Sequence, residues 1–225
     1  MTDLSTAYTA AADAPTGPNV SRVERAQLCD LLDRVGPSAP TLCEGWDTHH
    51  LVAHLRGREG SPLRQAVSAI PRLGDRSVHD IVAHHAFSSL VDDVRHGPPR
   101  VSVYGLPRLE PILNVIEFFV HHEDVRRAAD GWEARDLPRW AENQIWVRIV
   151  GLAKLTQRRK PTGLVLERSD ATTRARVSNG DDDVVIAGRP SELALHLSGR
   201  VAVARVELVG SPDTVAAYTQ TLPGS

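Results

Sequence analysis

From residue 21 onward the apolar positions recur at helical spacing. Leu28, Leu31, Leu32 and Val35 mark a first helix, which Ser21 and Glu24 open as a capping box and Gly36, Pro37 and Pro40 close. Leu51, Val52 and Leu55 place a second helix on HHLVAHLRGRE, with Asp47 or Thr48 as its cap. Val78, Ile81, Val82, Leu90 and Val94 hold one period through a third helix, opened by Ser77 and Asp80 and ended by HGPPR from residue 96. Pro111 suits the first turn of a fourth helix, which runs to about Ala129 and stops at Gly131. A fifth, opened by Asp136 and Pro138, carries Trp140, Ile145, Trp146, Ile149 and Leu152 to the basic RRK at 158–160. Pro161 and Gly163 then mark a boundary, after which the period turns towards two. LVLERSD, TRARVSNG and DVVIAG predict three short strands, Ser191 caps a helix over ELALHL that Gly199 ends, and VAVARVELVG is mixed or strand.

The expected organisation is a loose N-terminal extension over residues 1–20, a helical domain over 21–160 and a small α/β domain over 161–225. With 41% apolar and 24% charged residues, 225 residues suffice for such a two-part globular chain. Twenty-six basic against 28 acidic side chains leave a formal charge of −2, which offers no field for a polyanion, so nucleic acid is not an expected partner. No apolar run nears the roughly 18 residues of a membrane span, and the first residues carry acids where a signal peptide carries bases. Cys29 and Cys43 are too few for a disulfide scaffold and are expected as reduced thiols. These features point to a cytoplasmic protein; they say nothing of oligomeric state.

Ten histidines, clustered as HHLVAH, AHH and VHHED, raise metal binding as a question. The fourth helix begins ILNVIEFFV, with seven apolar residues in nine, and Glu117 lies inside that run, where a carboxylate must be paired or metal-bound. Glu117, His121 and Asp124 fall on one stripe, whereas Glu123, Arg126 and Arg127 share the opposite face; if the arginines face water, Glu117 and His121 point inward. A Glu and a His one turn apart can chelate an ion, and His54 on the second helix could complete a three-residue set with an open position. By spacing alone, a Glu and a His one turn apart are more commonly an ordinary helix-surface pair. Asp124 is placed to orient a ligand histidine through its second nitrogen, or else to pair with Arg126 or Arg127. Arg58 and Arg200 are candidates for binding a substrate carboxylate, with structural ion pairs as the alternative. Cys43 is expected as a small packed residue, His84 and His85 as packing or surface residues, and His122 as a histidine of another face.

Three separated motifs resemble one family. The stretch WDTHHLVAHLRGRE, from Trp46 to Glu59 and preceded by LCEG, is similar to the second-helix motif of the mycothiol-dependent maleylpyruvate isomerase family, a group of DinB-like metal-binding bundles. EFFVHHEDVRRA, from Glu117, resembles its fourth-helix motif, and GRPSELALHLSGR, from Gly188 to Arg200, its sterol-carrier-like C-terminal domain. Together they cover nearly everything after residue 20. The resemblance implies an α plus α/β chain, with a DinB-like up-down four-helix bundle followed by a small sterol-carrier-like domain. It implies a divalent ion, usually zinc, on His54, Glu117 and His121, and mycothiol, the small thiol of actinobacteria, as cosubstrate. The expected activity is a metal-dependent thiol transferase or isomerase acting on a small electrophile. The alternative is a non-catalytic small-molecule or lipid-binding protein with a structural metal. VHHEDVRR is most similar to a branch known only as metal-binding, so isomerase chemistry does not transfer directly. The second helix departs from the family in carrying His49 and His50, which leaves His50 as either a further ligand or a helix cap.

Overall fold

The computed structural model describes residues 17–59, 71–98, 110–156 and 162–222. The expected extension over residues 1–20 and the basic RRK at 158–160 fall largely outside them. Among the described residues, eight helices and four strands make a mixed α/β chain that divides into two compact units, residues 17–136 and 137–222.

The first unit is helical: α1 (Val20–Val35), α2 (Thr48–Arg58), α3 (Pro71–His84), α4 (Phe87–His96) and α5 (Glu110–Arg126). Asn19, rather than Ser21, caps α1; its side chain accepts from the Ser21 amide at 2.9 Å, and Gly36 ends the helix at φ 77°. Glu24 is therefore free of the capping role expected for it and lies buried in the helix interior. The single third helix of the sequence analysis is two. Helix α3 is already running when it reaches Ser77, and Ala86 takes extended backbone (φ −66°, ψ 141°) to start α4. No glycine or proline marks this break, and Val78 and Ile81 before it and Leu90, Val91 and Val94 after it enter the same core, so one apolar period runs through both. That core also takes Leu28 and Leu32 from α1, Leu51, Val52 and Leu55 from α2, and Phe118 and Val125 from α5. Helix α1 lies along α5, and α2 packs on α3 and α4.

Helix α5 has no solvent-facing arginine stripe. Arg127 and Glu123 are buried, and Glu123 accepts from Arg127 Nε at 2.6 Å, Arg126 Nη1 at 2.9 Å and Arg135 Nε at 2.6 Å. The expected exposed face is covered by the segment that follows Gly131, because Arg135 returns across the helix to bind Glu123 and both oxygens of Glu24. His122, on this side, hydrogen-bonds Glu24 Oε2 at 2.7 Å.

The second unit comprises α6 (Arg139–Thr156), β1 (Gly163–Arg168), β2 (Arg174–Ser178), β3 (Asp183–Gly188), α7 (Pro190–Leu197), β4 (Glu207–Val209) and α8 (Pro212–Thr219). The sheet order is β2-β1-β3-β4, with β1 and β3 parallel and the two outer pairings antiparallel. Leu164 and Leu166 of β1 and Val184 and Ile186 of β3 are fully or almost fully buried. Helix α6 packs on α7 and β2, so it groups with the sheet and the division falls at 136/137, whereas the sequence analysis puts this helix with the bundle. A buried carboxylate fastens it: Glu142 accepts from the Ser191 amide at 2.8 Å and the Ser191 hydroxyl at 2.9 Å. Ser191 thus sits inside the first turn of α7, and Arg189 rather than Ser191 is the cap residue. Helix α8, capped by Ser211, has no counterpart in the sequence expectations; one turn of apolar pattern in eight residues is too short to stand out.

Burial by itself would raise the Glu24 carboxyl, but the charge of Arg135 and the contact with His122 outweigh it and hold the group at about 2. A carboxyl held below its unfolded value adds stability above that value and loses it as pH falls towards about 2. We expect the urea midpoint of the protein to drop between about pH 5 and pH 2.5, and Glu24→Gln to cost about 3 kcal/mol at neutral pH while flattening that dependence. An unchanged slope in the variant would remove Glu24 as its source.

Candidate metal centre

Helices α2 and α5 bring His54, Glu117 and His121 together. Asp47 starts α2: its carboxylate accepts from the His50 amide at 3.0 Å and contacts His50 Nδ1 at 2.6 Å. This gives His50 to the helix cap and sets His54, one turn on, towards α5. On α5 the spacing of four residues stacks His121 over Glu117. Glu117 Oε1 lies 3.0 Å from His54 Nε2 and 3.4 Å from His121 Nε2, and the two imidazole rings meet edge to face at 5.2 Å.

This geometry suits a metal ion. One ligand atom from each of the three residues lies within 4.8 Å of the others. Tetrahedral ligands about 2.1 Å from a zinc-like ion stand roughly 3.4 Å apart, close to the two measured separations. Two imidazoles and one carboxylate match the donor preferences of zinc and of other divalent first-row metals. The His54 and Glu117 side chains remain about one quarter exposed, so the centre has an open side.

Behind it, His121 Nδ1 lies 2.9 Å from Asp124 Oδ2, and the Cys43 thiol donates to the same oxygen at 3.2 Å. Arg126 and Arg127 both bond Glu123, and Asp124 is fully buried. Its main-chain carbonyl accepts from the Leu42 amide at 3.1 Å, so the loop between α1 and α2 docks here. Cys43, His121 and Asp124 form a second group with metal-like spacing. Their hydrogen bonds are already mutual, and they meet His121 at Nδ1, away from the nitrogen that faces His54 and Glu117. Cys43 is therefore a partner of the supporting carboxylate, a contact across 81 positions that its sequence gives no sign of. Trp46, on the same loop, packs its ring 5.2 Å from that of His54.

Arg58 Nε lies 3.3 Å from Glu117 Oε1, and its Nη1 donates to Asn114 at 2.8 Å. Arg200 belongs to the second unit, where it donates to the Ser198 carbonyl at 2.6 Å. His84 and His85 are exposed.

Burial opposes ionisation of Glu117, yet the Arg58 charge and the bonds from His121 and His54 hold its carboxyl well below the usual range. Burial likewise opposes the His121 imidazolium, but Asp124, Cys43 and Glu117 hold its pKa well above 6.5. The metal-free centre is therefore an imidazolium beside carboxylates, with a proton standing where a cation can bind.

No protein-family model matches the chain, and no curated protein matches it. Two solved structures do: the crystal structure of the mycothiol-dependent maleylpyruvate isomerase and that of a histidine-to-alanine mutant of it. Both align with a TM-score of 0.58, at 16% and 17% identity respectively, over 85% of this chain and 90% of the other. At that identity the likeness is one of fold: the chain shares the mixed α/β architecture of these structures.

The Asp124 contact predicts a titration. In metal-free protein the His121 ring signals, followed by NMR, should remain those of an imidazolium at neutral pH, and Asp124→Asn should lower the midpoint. A midpoint near 6.5 in both proteins would show that the contact has no influence on the ring.

Proposed function

We propose that this chain is a divalent-metal-dependent enzyme that uses a small thiol, mycothiol, in a transferase or isomerase reaction on a small electrophile. The observation that carries this reading is the convergence of His54 Nε2, Glu117 Oε1 and His121 Nε2 on one partly open point. The fold shared with a mycothiol-dependent isomerase supports the choice of thiol. In this reading residues 17–136 correspond to a DinB-like metal-binding bundle, the sheet-bearing unit to a sterol-carrier-like domain, and the ion is zinc.

A divalent ion bound there supplies the positive charge that keeps a thiol deprotonated at neutral pH, although its free pKa is about 8.5. The side chains supply the rest. His54, Glu117 and His121 hold the ion by three donors and leave a position for the thiol. Asp124 keeps the proton of His121 on Nδ1, so that Nε2 presents its lone pair. The Cys43 thiol fixes Asp124 in turn. Trp46, beside His54, gives the edge of the centre an apolar surface. The two cysteines are not disulfide-bonded, which suits the reducing conditions of a cytoplasm.

Elemental analysis of protein purified without a histidine tag tests the metal. We expect about one ion per chain in the wild type and loss of it in both His54→Ala and Glu117→Ala, with the fold retained. Titration of the loaded protein with mycothiol should then show binding that the stripped protein lacks. Absence of metal after reconstitution would overturn the proposal. Unfolding on chelation, with no thiol binding, would replace it by a binding protein with a structural ion.

A further inference from the structure

Among the described residues, three polar atoms meet Glu117, and each is paired with the same one of its two oxygens. His54 Nε2, His121 Nε2 and Arg58 Nε lie 3.0, 3.4 and 3.3 Å from Oε1. A free carboxylate rotates about its last bond and can offer either oxygen, or both, to a cation. What holds this one is a line of polar groups running back through the helical unit.

Arg58 is pinned by Asn114, one turn before Glu117 on α5. The Asn114 side-chain oxygen accepts from Arg58 Nη1 at 2.8 Å, and its amide nitrogen donates to Glu59 Oε1 at 3.3 Å. This orientation is forced. Turned over, the amide would aim its N–H groups at the guanidinium and its oxygen at the Glu59 carboxylate, and Asn114 is fully buried, so no water could relieve the mismatch. Glu59 is held by a two-pronged pair with Arg25 of α1, which also donates to the Val94 carbonyl at 2.8 Å and lies 4.1 Å above the Phe118 ring. Arg25 and Glu59 are both buried. Donors and acceptors therefore alternate without a break from Arg25 through Glu59, Asn114 and Arg58 to Glu117, which Arg58 meets through Nε while its Nη1 is held by Asn114.

We propose that Arg58 is a positioning residue of the metal centre: held by Asn114, it fixes the rotation of the Glu117 carboxylate so that Oε1 alone is presented to the ion. This rests on the metal reading given above. It departs from the role in binding a substrate carboxylate that the sequence suggests for Arg58, because the fork of the guanidinium is engaged by Glu117 on one side and Asn114 on the other. A lysine would supply the charge without the fork, having one ammonium and no fixed pair of donors.

Cobalt serves as the probe, since its visible absorption is strong with four ligands and weak when a further oxygen joins. The full chain is stripped, loaded with cobalt and compared as wild type, Arg58→Lys, Arg58→Ala and Asn114→Ala, with melting of each metal-free protein as the control for folding. We expect all four to take up cobalt. The three variants should show bands weakened severalfold and shifted, because a released carboxylate closes on the ion with both oxygens, and Arg58→Lys should resemble Arg58→Ala more than wild type. A role limited to stability would move the melting point and leave the spectrum alone. Unchanged spectra and affinity in Arg58→Lys and Arg58→Ala, whatever the melting of Asn114→Ala, would overturn the inference while leaving the metal reading intact. Failure of the wild type itself to bind cobalt would overturn both.

Discussion

Ionisable groups inside a protein must be paired or neutralised where they stand, and α5 carries more of them into the interior than any other element described. Glu117, His121, His122, Glu123 and Asp124 lie within eight positions of one helix, and Arg127 follows on the next turn. An unpaired charge at such depth costs several kcal/mol. Each is therefore met by a partner from a different part of the chain: Glu24 from α1, His54 and Arg58 from α2, Cys43 from the loop between them, and Arg135 from the segment after Gly131. Apolar contacts among α1 to α5 supply the core, and these polar contacts set the height and rotation at which each helix meets α5.

The same demand gives the candidate centre its form. Glu117 and His121 lie on the side of α5 that faces α2, where the neutralising groups are His54 and Arg58 and one side stays open to solvent. Glu123 and His122 lie on the other side, where Arg135 and Glu24 close over them. Two carboxylates six residues apart thus have opposite fates, one part of a closed ionic cluster and one in a partly open group with metal-like spacing. His121 differs from His122 in the same way: hydrogen bonds to carboxylates hold it well above 6.5, whereas burial and the charge of Arg135 lower His122 despite its contact with Glu24.

The second unit uses the device once more. Glu142, fully buried on α6, accepts both the amide and the hydroxyl of Ser191 at the start of α7. Burial dominates here and its carboxyl is raised, in spite of Ser191 and Arg189. The bond explains why α6 travels with the sheet, although its apolar period resembles that of the helices before it.

Local pattern carries information wherever the physics is local. The 3.6-residue period pointed to the helices that the chain forms over 20–35, 48–58 and 139–156, with ends that differ by a few residues, period two pointed to β1 to β3, and the four-residue step from Glu117 to His121 follows from helix geometry alone. The partly apolar face of the second helix suggested His54, out of ten histidines, as their companion, and the family-like motifs supported the same choice. Beyond that reach lay everything that depends on which distant groups meet. The break at Ala86 is silent because both halves feed one core. The arginine face of α5 looked solvated because Arg135 covers it from beyond the helix. Cys43 with Asp124, and Arg25 through Glu59 and Asn114 to Arg58, join residues between 34 and 81 positions apart. Hydrogen bonds form between atoms near in space, and only the packed chain decides which those are.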